Sequence, residues 1–504
     1  MSTLRSRWFA IAVFAIVVAA AAFLRFYDLA TNPGGLYGDE AAEGLDALRM
    51  LHQPGFHPDF LVWFQSDAGR EALFAYAVSI AFRFFGESTL ILRATAAGFG
   101  VAGVIGIAWL ARRWGTWPAI VAGAWAAGSL WLVCVSRDGM RNTIVPLFGA
   151  LALIAILRWA ARPGRGSAAL AGAAASVAAL YTYQPLKLVP LLVALWLLWL
   201  WHANRERFSE LRGGIGAFAV SFVAVGAPML AVAVTNPLNY FGRATAVSTF
   251  NPDVVADANF PIHIVRTIGM FGYFGDGNGR HDVASLPLLP LPLVVLAVLG
   301  VLRLWRSRRE PAEALILLSL PVFMIPPLLA TEGYSPHFLR VLGLAAPLAV
   351  TVALGTAEFV EIARRKLGGT CAAASIGLAA ASLCLVAVSS GLIYFNRSLA
   401  DRYVTFTYDL VAAADEARIH PGSALIVYDY AAYDVDFLDY DRMPTIVKPG
   451  STIEDPTKYT EVIALNKDDL SRALGPELGG TATPIAWDPS GQPTVWVVVI
   501  SHAP

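Results

Sequence analysis

Between residues 8 and 394 the chain repeats one device: a run of about twenty apolar residues, then a short polar break. The runs fall near 8–26, 91–111, 117–136, 143–161, 168–184, 187–203, 214–235, 286–304, 312–331, 341–360 and 371–394. In lipid every backbone amide must be satisfied within its own segment, so a run long enough to cross the hydrocarbon core is dictated to be a helix. Composition agrees. Of 504 residues 57% are hydrophobic and 15% charged, against about 25% charged in soluble domains, which excludes a large water-soluble enzyme. Formal charge is zero, leaving no electrostatic basis for nucleic-acid binding. Cys134, Cys371 and Cys384 all lie inside apolar runs, without metal-ligand or disulfide spacing, and read as packing residues.

Arginine clusters give the orientation. Arg5/Arg7, Arg112/Arg113, Arg158/Arg162/Arg165, Arg205/Arg207/Arg212, Arg303/Arg306/Arg308/Arg309 and Arg364/Arg365/Lys366 are spaced so that one outward and one inward run fit between neighbours. Basic loops stay cytoplasmic, which places the amino terminus inside and, with eleven spans, the carboxyl terminus outside a plasma (inner) membrane. The first run resembles a signal peptide in its small residues at 19–22 and is read here as an uncleaved span. Residues 70–85 are apolar but carry Arg70, Glu71 and Arg83. Counting them as a span would turn five arginine clusters outward, so they are read as a helix lying in the outer interface. The expected fold class is therefore an all-α polytopic membrane protein with external juxtamembrane helices and a small C-terminal α/β domain. The membrane domain covers 1–395, with a first external loop 27–90 and a long external loop 236–285. In 396–504, short β-type runs (424–428, 461–465, 494–500) alternate with helical stretches (399–417, 467–474).

With this parity the chemically loaded loops all face outward. Asp39 and Glu40 follow a Pro-Gly-Gly turn at 33–35 and open a helix; a carboxylate there is either a cap or a general base for an acceptor hydroxyl. Arg137, Asp138 and Arg141 end the third run. On a continuing helix the two arginines would share a face and could bind a phosphate, or else snorkel to headgroups. Tyr181 and Tyr183 read either as an aromatic belt or as site residues. Lys187, one of five lysines, is a phosphate partner or an interfacial anchor. The long loop holds Arg243 and Arg266, then Asp276, Asn278, Arg280, His281 and Asp282, a run lacking the remaining ligands of a calcium loop. Glu332, His337 and Arg340 surround Pro336. Three prolines, Pro321, Pro326 and Pro327, interrupt the ninth run and keep a transporter reading open.

Taken in order, Gly38-Asp39-Glu40, Gly69-Arg70-Glu71-Ala72-Leu73, Ser136-Arg137 through Arg141, Tyr181-Thr182-Tyr183 and Ser335-Pro336-His337 resemble the GT-C glycosyltransferases. The resemblance is to the family 39 group of protein O-mannosyltransferases, lipid A aminoarabinose transferases and bacterial phospholipid-carrier-dependent relatives, and it covers about residues 8–360. It implies inverting transfer of a single sugar from a polyprenyl-phosphate donor to a hydroxyl of a lipid, glycan or protein, with no cofactor. Asp39 matches the family's acid in the first external loop and would be the base; Asp138 falls where relatives often carry a second acid. Arg243 matches an arginine of the long loop, and Pro336-His337 a Pro-x-Tyr segment. Two positions depart from the pattern: Glu71-Ala72 stands where some relatives have Lys-Pro, and Tyr183 where they have Lys. Donor-phosphate binding is therefore expected of Arg137, Arg141, Lys187, Arg243 and Arg340. Acceptor contact or support of the site is expected of Glu40, Arg70, Glu71, Asp138, Tyr183 and His337. No metal is expected in catalysis, since several cations are at hand and no dedicated cage is visible. The competing function is a lipid-linked glycan flippase or transporter.

Overall fold

A computed structural model describes residues 2–66, 69–251, 259–330, 335–367, 369–428, 432–440 and 443–500. Among them, eight helices are long and apolar enough to cross a membrane: Arg7–Phe26, Thr89–Trp114, Arg141–Ala161, Gln184–Ala203, Arg205–Thr235, Pro311–Leu329, Leu342–Lys366 and Ala373–Arg397. A ninth expected run is a pair of helices, Thr116–Gly128 and Leu130–Arg137, bent by 59°. The remaining two are helices of 16 residues, Arg165–Leu180 and Leu291–Arg306, each about 24 Å long at 1.5 Å per residue. Their shortness has local causes. Tyr181-Thr182-Tyr183 leaves the helical conformation before Pro185, and Pro287 and Pro290 delay the start of the second, which has Pro292 in its first turn. The disputed segment 70–85 contains a helix of only 13 residues, Leu73–Phe85, about 20 Å long and too short to cross about 30 Å of hydrocarbon.

By internal contacts the chain forms two units. The first comprises Met1–Tyr27, His57–Phe74 and Ala96–Tyr394, and the second Asp28–Phe56, Ala75–Thr95 and Phe395–Pro504.

In the first unit, small residues set how closely helices approach, as expected where lipid supplies no hydrophobic drive. A methyl group at Gly355 would overlap the Leu296 carbonyl, and one at Gly172 the Phe218 carbonyl. Buried arginines satisfy helix ends. Where the bent pair breaks, the carbonyls of Ala126 and Ala127 lose their intrahelical partners, and the Arg25 guanidinium donates to both at 3.1 Å. Two short strands, β1 (Trp63–Phe64) and β2 (Arg70–Glu71), pair antiparallel and present the Arg70 and Glu71 side chains.

The second unit contains a five-stranded sheet built from β3 (Ala424–Ile426), β4 (Thr445–Val447), β5 (Glu461–Ala464), β6 (Thr483–Trp487) and β7 (Pro493–Val499), ordered β4-β3-β5-β7-β6. The first three strands are parallel, and β7 pairs antiparallel with β5 and β6. Alternation separates two cores. Leu425, Ile463 and Val497 pack with Leu410 and Ala413 of helix Tyr408–Ile419. Ala424, Ile426, Val462 and Val498 pack with Leu470 and Ala473 of helix Lys467–Leu474. The expected helix 399–417 is divided: Gly369–Arg402 runs on past the apolar stretch, and a new helix starts at Tyr408 after Thr407, whose φ is +41°.

Candidate functional site

In the second unit, Asp39 lies in the first turn of helix Gly38–His52, as the Pro-Gly-Gly turn and acidic pair lead one to expect. The two acids have different roles. Glu40 is fully buried and forms a bidentate pair with Arg93, at 2.6 Å to Nε and 2.8 Å to Nη2. Arg93 also donates to the Pro33 carbonyl and, at 2.5 Å, to the Gly35 carbonyl. Glu40 therefore fixes the turn, a supporting role, while Asp39 remains part-exposed. The turn is pinned a second time: Leu36 N–H donates to the Phe406 carbonyl at 2.6 Å, Gly34 N–H to Tyr408 Oη at 2.7 Å, and Thr407 Oγ1 to the Leu36 carbonyl at 2.6 Å.

Asp434, which the sequence expectations did not name, is buried in the same unit. Its Oδ1 has no hydrogen-bond partner, and its Oδ2 would stand 4.0 Å from a methyl group on Gly38. Burial first, and then the negative fields of Glu40 and Asp39, push its carboxyl up to about 8. Near neutral pH it is largely protonated. A cavity of about 510 Å³ in this unit is lined by Gly34, Gly35, Ser88, Arg418, Asp439 and Tyr440 among others. Asp439 is buried with both carboxylate oxygens unpartnered and is raised to about 6 by burial.

In the first unit the expected guanidinium pair is split. Helix Leu130–Arg137 stops at Asp138, which is extended, and Arg141 opens a separate 3₁₀ turn. The two side chains therefore do not share a helical face. Arg137 is fully buried, donates to the Leu24 carbonyl at 2.9 Å and stacks over Tyr394 at 4.7 Å; it ties helix ends together. Arg141 pairs with Glu71 at 3.2 Å and lies 5.5 Å from the Tyr183 ring. Lys187 reaches the same Glu71 at 3.7 Å, with its ammonium 4.5 Å from the Tyr240 ring and 6.0 Å from Trp63. Glu71, Arg141, Lys187 and Tyr183 thus come together, two cations on one carboxylate, and Lys187 keeps 22% of its side chain exposed. Trp63 and Tyr240, absent from the sequence expectations, form the aromatic wall, and Trp63 is fixed by Asn239 at 2.7 Å. Arg70 is buried beside this group, with Ser66 Oγ at 3.1 Å, and Asp138 is buried as well.

Arg340 donates to the Ala330 carbonyl at 3.0 Å. The side chain of Arg243 lies outside the described residues, as does Glu332. His337 is buried next to His281, ring centroids 4.7 Å apart, and beside Asp276. Desolvation holds His337 well below its usual range and, with the charge of Asp276, raises Asp282 to about 8.

No protein family and no curated protein matches the sequence. Solved structures do. ArnT from Cupriavidus metallidurans, crystallised with undecaprenyl phosphate, superposes with a TM-score of 0.57 at 15% identity, covering 97% of this chain and 98% of that one. AglB, the oligosaccharyltransferase of Archaeoglobus fulgidus, in complex with an inhibitory peptide and dolichol-phosphate, gives 0.50 at 14% identity, over 97% of this chain and 74% of that one. The same archaeal oligosaccharyltransferase tethered to an acceptor peptide gives 0.51 at 12% identity, with the same coverage. A bundle of apolar helices joined to a small sheet domain, matched almost end to end by ArnT, gives this chain the fold of the GT-C membrane glycosyltransferases.

Proposed function

We propose that the chain is an inverting glycosyltransferase that moves one sugar from a polyprenyl-phosphate carrier to a hydroxyl acceptor at the outer face of the plasma membrane, with its amino terminus cytoplasmic. The observation that carries this reading is the Glu71–Arg141–Lys187 group. It has a net charge of +1, is walled by aromatic rings, and exposes only the lysine. A sugar–phosphate–prenyl diester carries one negative charge, and the phosphate monoester that leaves carries up to two. A cationic group held in advance therefore stabilises the departing phosphate more than the bound donor, which is the condition for lowering the barrier. The acceptor oxygen attacks the anomeric carbon as the bond to the phosphate oxygen breaks. The bonding pair leaves with the phosphate, the acceptor proton passes to Asp39, and the anomeric centre inverts. Asp39 suits the base because it is part-exposed while its neighbour Glu40 is committed to Arg93. The recess near Gly34 and Gly35 is the candidate place for the acceptor. The likeness to structures holding undecaprenyl phosphate and dolichol-phosphate supports the carrier class.

The test is sugar transfer from a synthetic polyprenyl-phosphate donor by the full chain in lipid nanodiscs. Asp39→Asn is expected to lower turnover about 10²–10⁴-fold, the usual worth of a general base, with insertion and donor binding retained. Lys187→Met is expected to weaken donor binding about ten- to a hundred-fold, the loss of one charged hydrogen bond. Carrier movement across vesicles without a new glycosidic bond would reject the transferase in favour of a flippase.

A further inference from the structure

The long external loop and the segment before the Leu342–Lys366 span meet in a cluster that the proposed transfer does not use. Asp276, His281 and His337 each offer one donor atom, and these atoms all lie within 4.8 Å of one another. All three residues are buried. Asp276 Oδ2 lies 2.7 Å from His281 Nδ1 and accepts the Phe338 N–H at 2.7 Å, while Oδ1 accepts the Asn278 N–H at 2.8 Å. His337 Nδ1 has no hydrogen-bond partner. Next to them Asp282 is also buried: one oxygen takes the Val283 N–H at 2.8 Å and the other has no partner. Two imidazoles and two carboxyls gathered away from water, with polar atoms left unpartnered, are costly unless something else satisfies them.

We propose that Asp276, His281 and His337 bind a divalent transition-metal ion of the zinc class. The donor set chooses the class: two imidazole nitrogens with one carboxylate suit zinc and its neighbours, whereas magnesium and calcium call for oxygen donors throughout. Ligand bonds of about 2.0–2.2 Å are reached by small side-chain rotations from the spacing observed. Asp282, one residue beyond His281, can turn its unpartnered oxygen inward or leave the fourth position to water. It lines a cavity of about 260 Å³ with Ser129, Trp131 and Phe338.

The ion has a positioning role. It cross-links loop residues 276–281 to residue 337, and Phe338 beside it accepts a hydrogen bond from Trp131 at 3.1 Å. Trp131 belongs to the helix that ends at Arg137. Metal and protons compete for the same imidazole and carboxylate donor atoms, so binding should release protons.

The experiment uses the full chain in detergent, stripped with chelator and titrated with cobalt(II). The expected result is one equivalent bound with the visible ligand-field spectrum of a low-coordinate histidine site, displaced by zinc, and accompanied by proton release. His281→Ala and His337→Ala should each weaken uptake by at least about 100-fold, beyond the usual effect of losing an outer partner of a ligand. The wild-type titration decides the matter even if a variant fails to fold. Absence of a one-to-one cobalt spectrum in the wild type, or a spectrum unchanged in both histidine variants, overturns the site.

Discussion

At the residue scale, the charges that matter are mostly buried and already spoken for. Glu40, Arg93 and Arg137 are each at most 1% exposed and hold backbone turns and helix ends in place, while the buried Arg141 is paired with Glu71. Asp434 is the group whose own titration should be visible. Its carboxyl is near its ordinary value in the unfolded chain and about 8 in the folded one. Folding therefore takes up a proton between those limits. The stability this group contributes is complete in acid, declines as pH rises from about 4, and is gone above about 8. Thermal unfolding followed from pH 5 to 8 should show a falling trend, with Asp434 supplying up to roughly 1.4 kcal/mol per pH unit. Asp434→Asn should flatten that trend, and an unchanged pH slope would show that the carboxyl is not protonated as described. What the sequence made legible here was residue type within a loop. Partnership was not legible: Arg93 and Glu40 are 53 positions apart, and Glu71 meets Arg141 across two apolar runs and Lys187 across four.

At the element scale, the arginine clusters and run lengths located the helices well, because membrane thickness sets a length that hydropathy can read. They could not show where a helix bends or stops short. The 59° break at Ser129 depends on which carbonyls find another donor, here the Arg25 guanidinium, and the carbonyl near the end of helix Ser2–Phe26 is likewise met by Arg137. In the C-terminal region β3, β5 and β7 were readable as short apolar β-type runs, while β4 and β6, with exposed and half-buried positions, lacked that signal. Helix packing makes its own prediction. Gly355→Leu should push helix Ala345–Leu367 off the Leu296 carbonyl and lower thermal stability, by about 1–3 kcal/mol as overpacking usually costs. A melting profile equal to wild type in detergent would contradict the close approach.

At the scale of the whole molecule, the sequence divides at residue 395, but the unit that ends the chain also includes 28–56 and 75–95. Deletion of residues 396–504 should therefore do more than remove the C-terminal sheet. It takes away Phe406, Thr407 and Tyr408, which hold the turn ahead of Asp39. The truncated chain is expected to insert in the membrane and lose transferase activity, and limited proteolysis should cut near residues 30–40 only in the truncated form. Full activity after truncation would detach the carboxyl-terminal segment from the proposed site.

That clasp between Leu36 and Phe406 also sets an order of events during synthesis. The segment bearing Asp39 leaves the ribosome early, and the Phe406 turn emerges only after about 370 further residues, some tens of seconds later at about 5–20 residues per second. For that interval the turn lacks its partner. In a nascent or prematurely terminated chain the turn before Asp39 thus stays unclasped until residue 406 has been made.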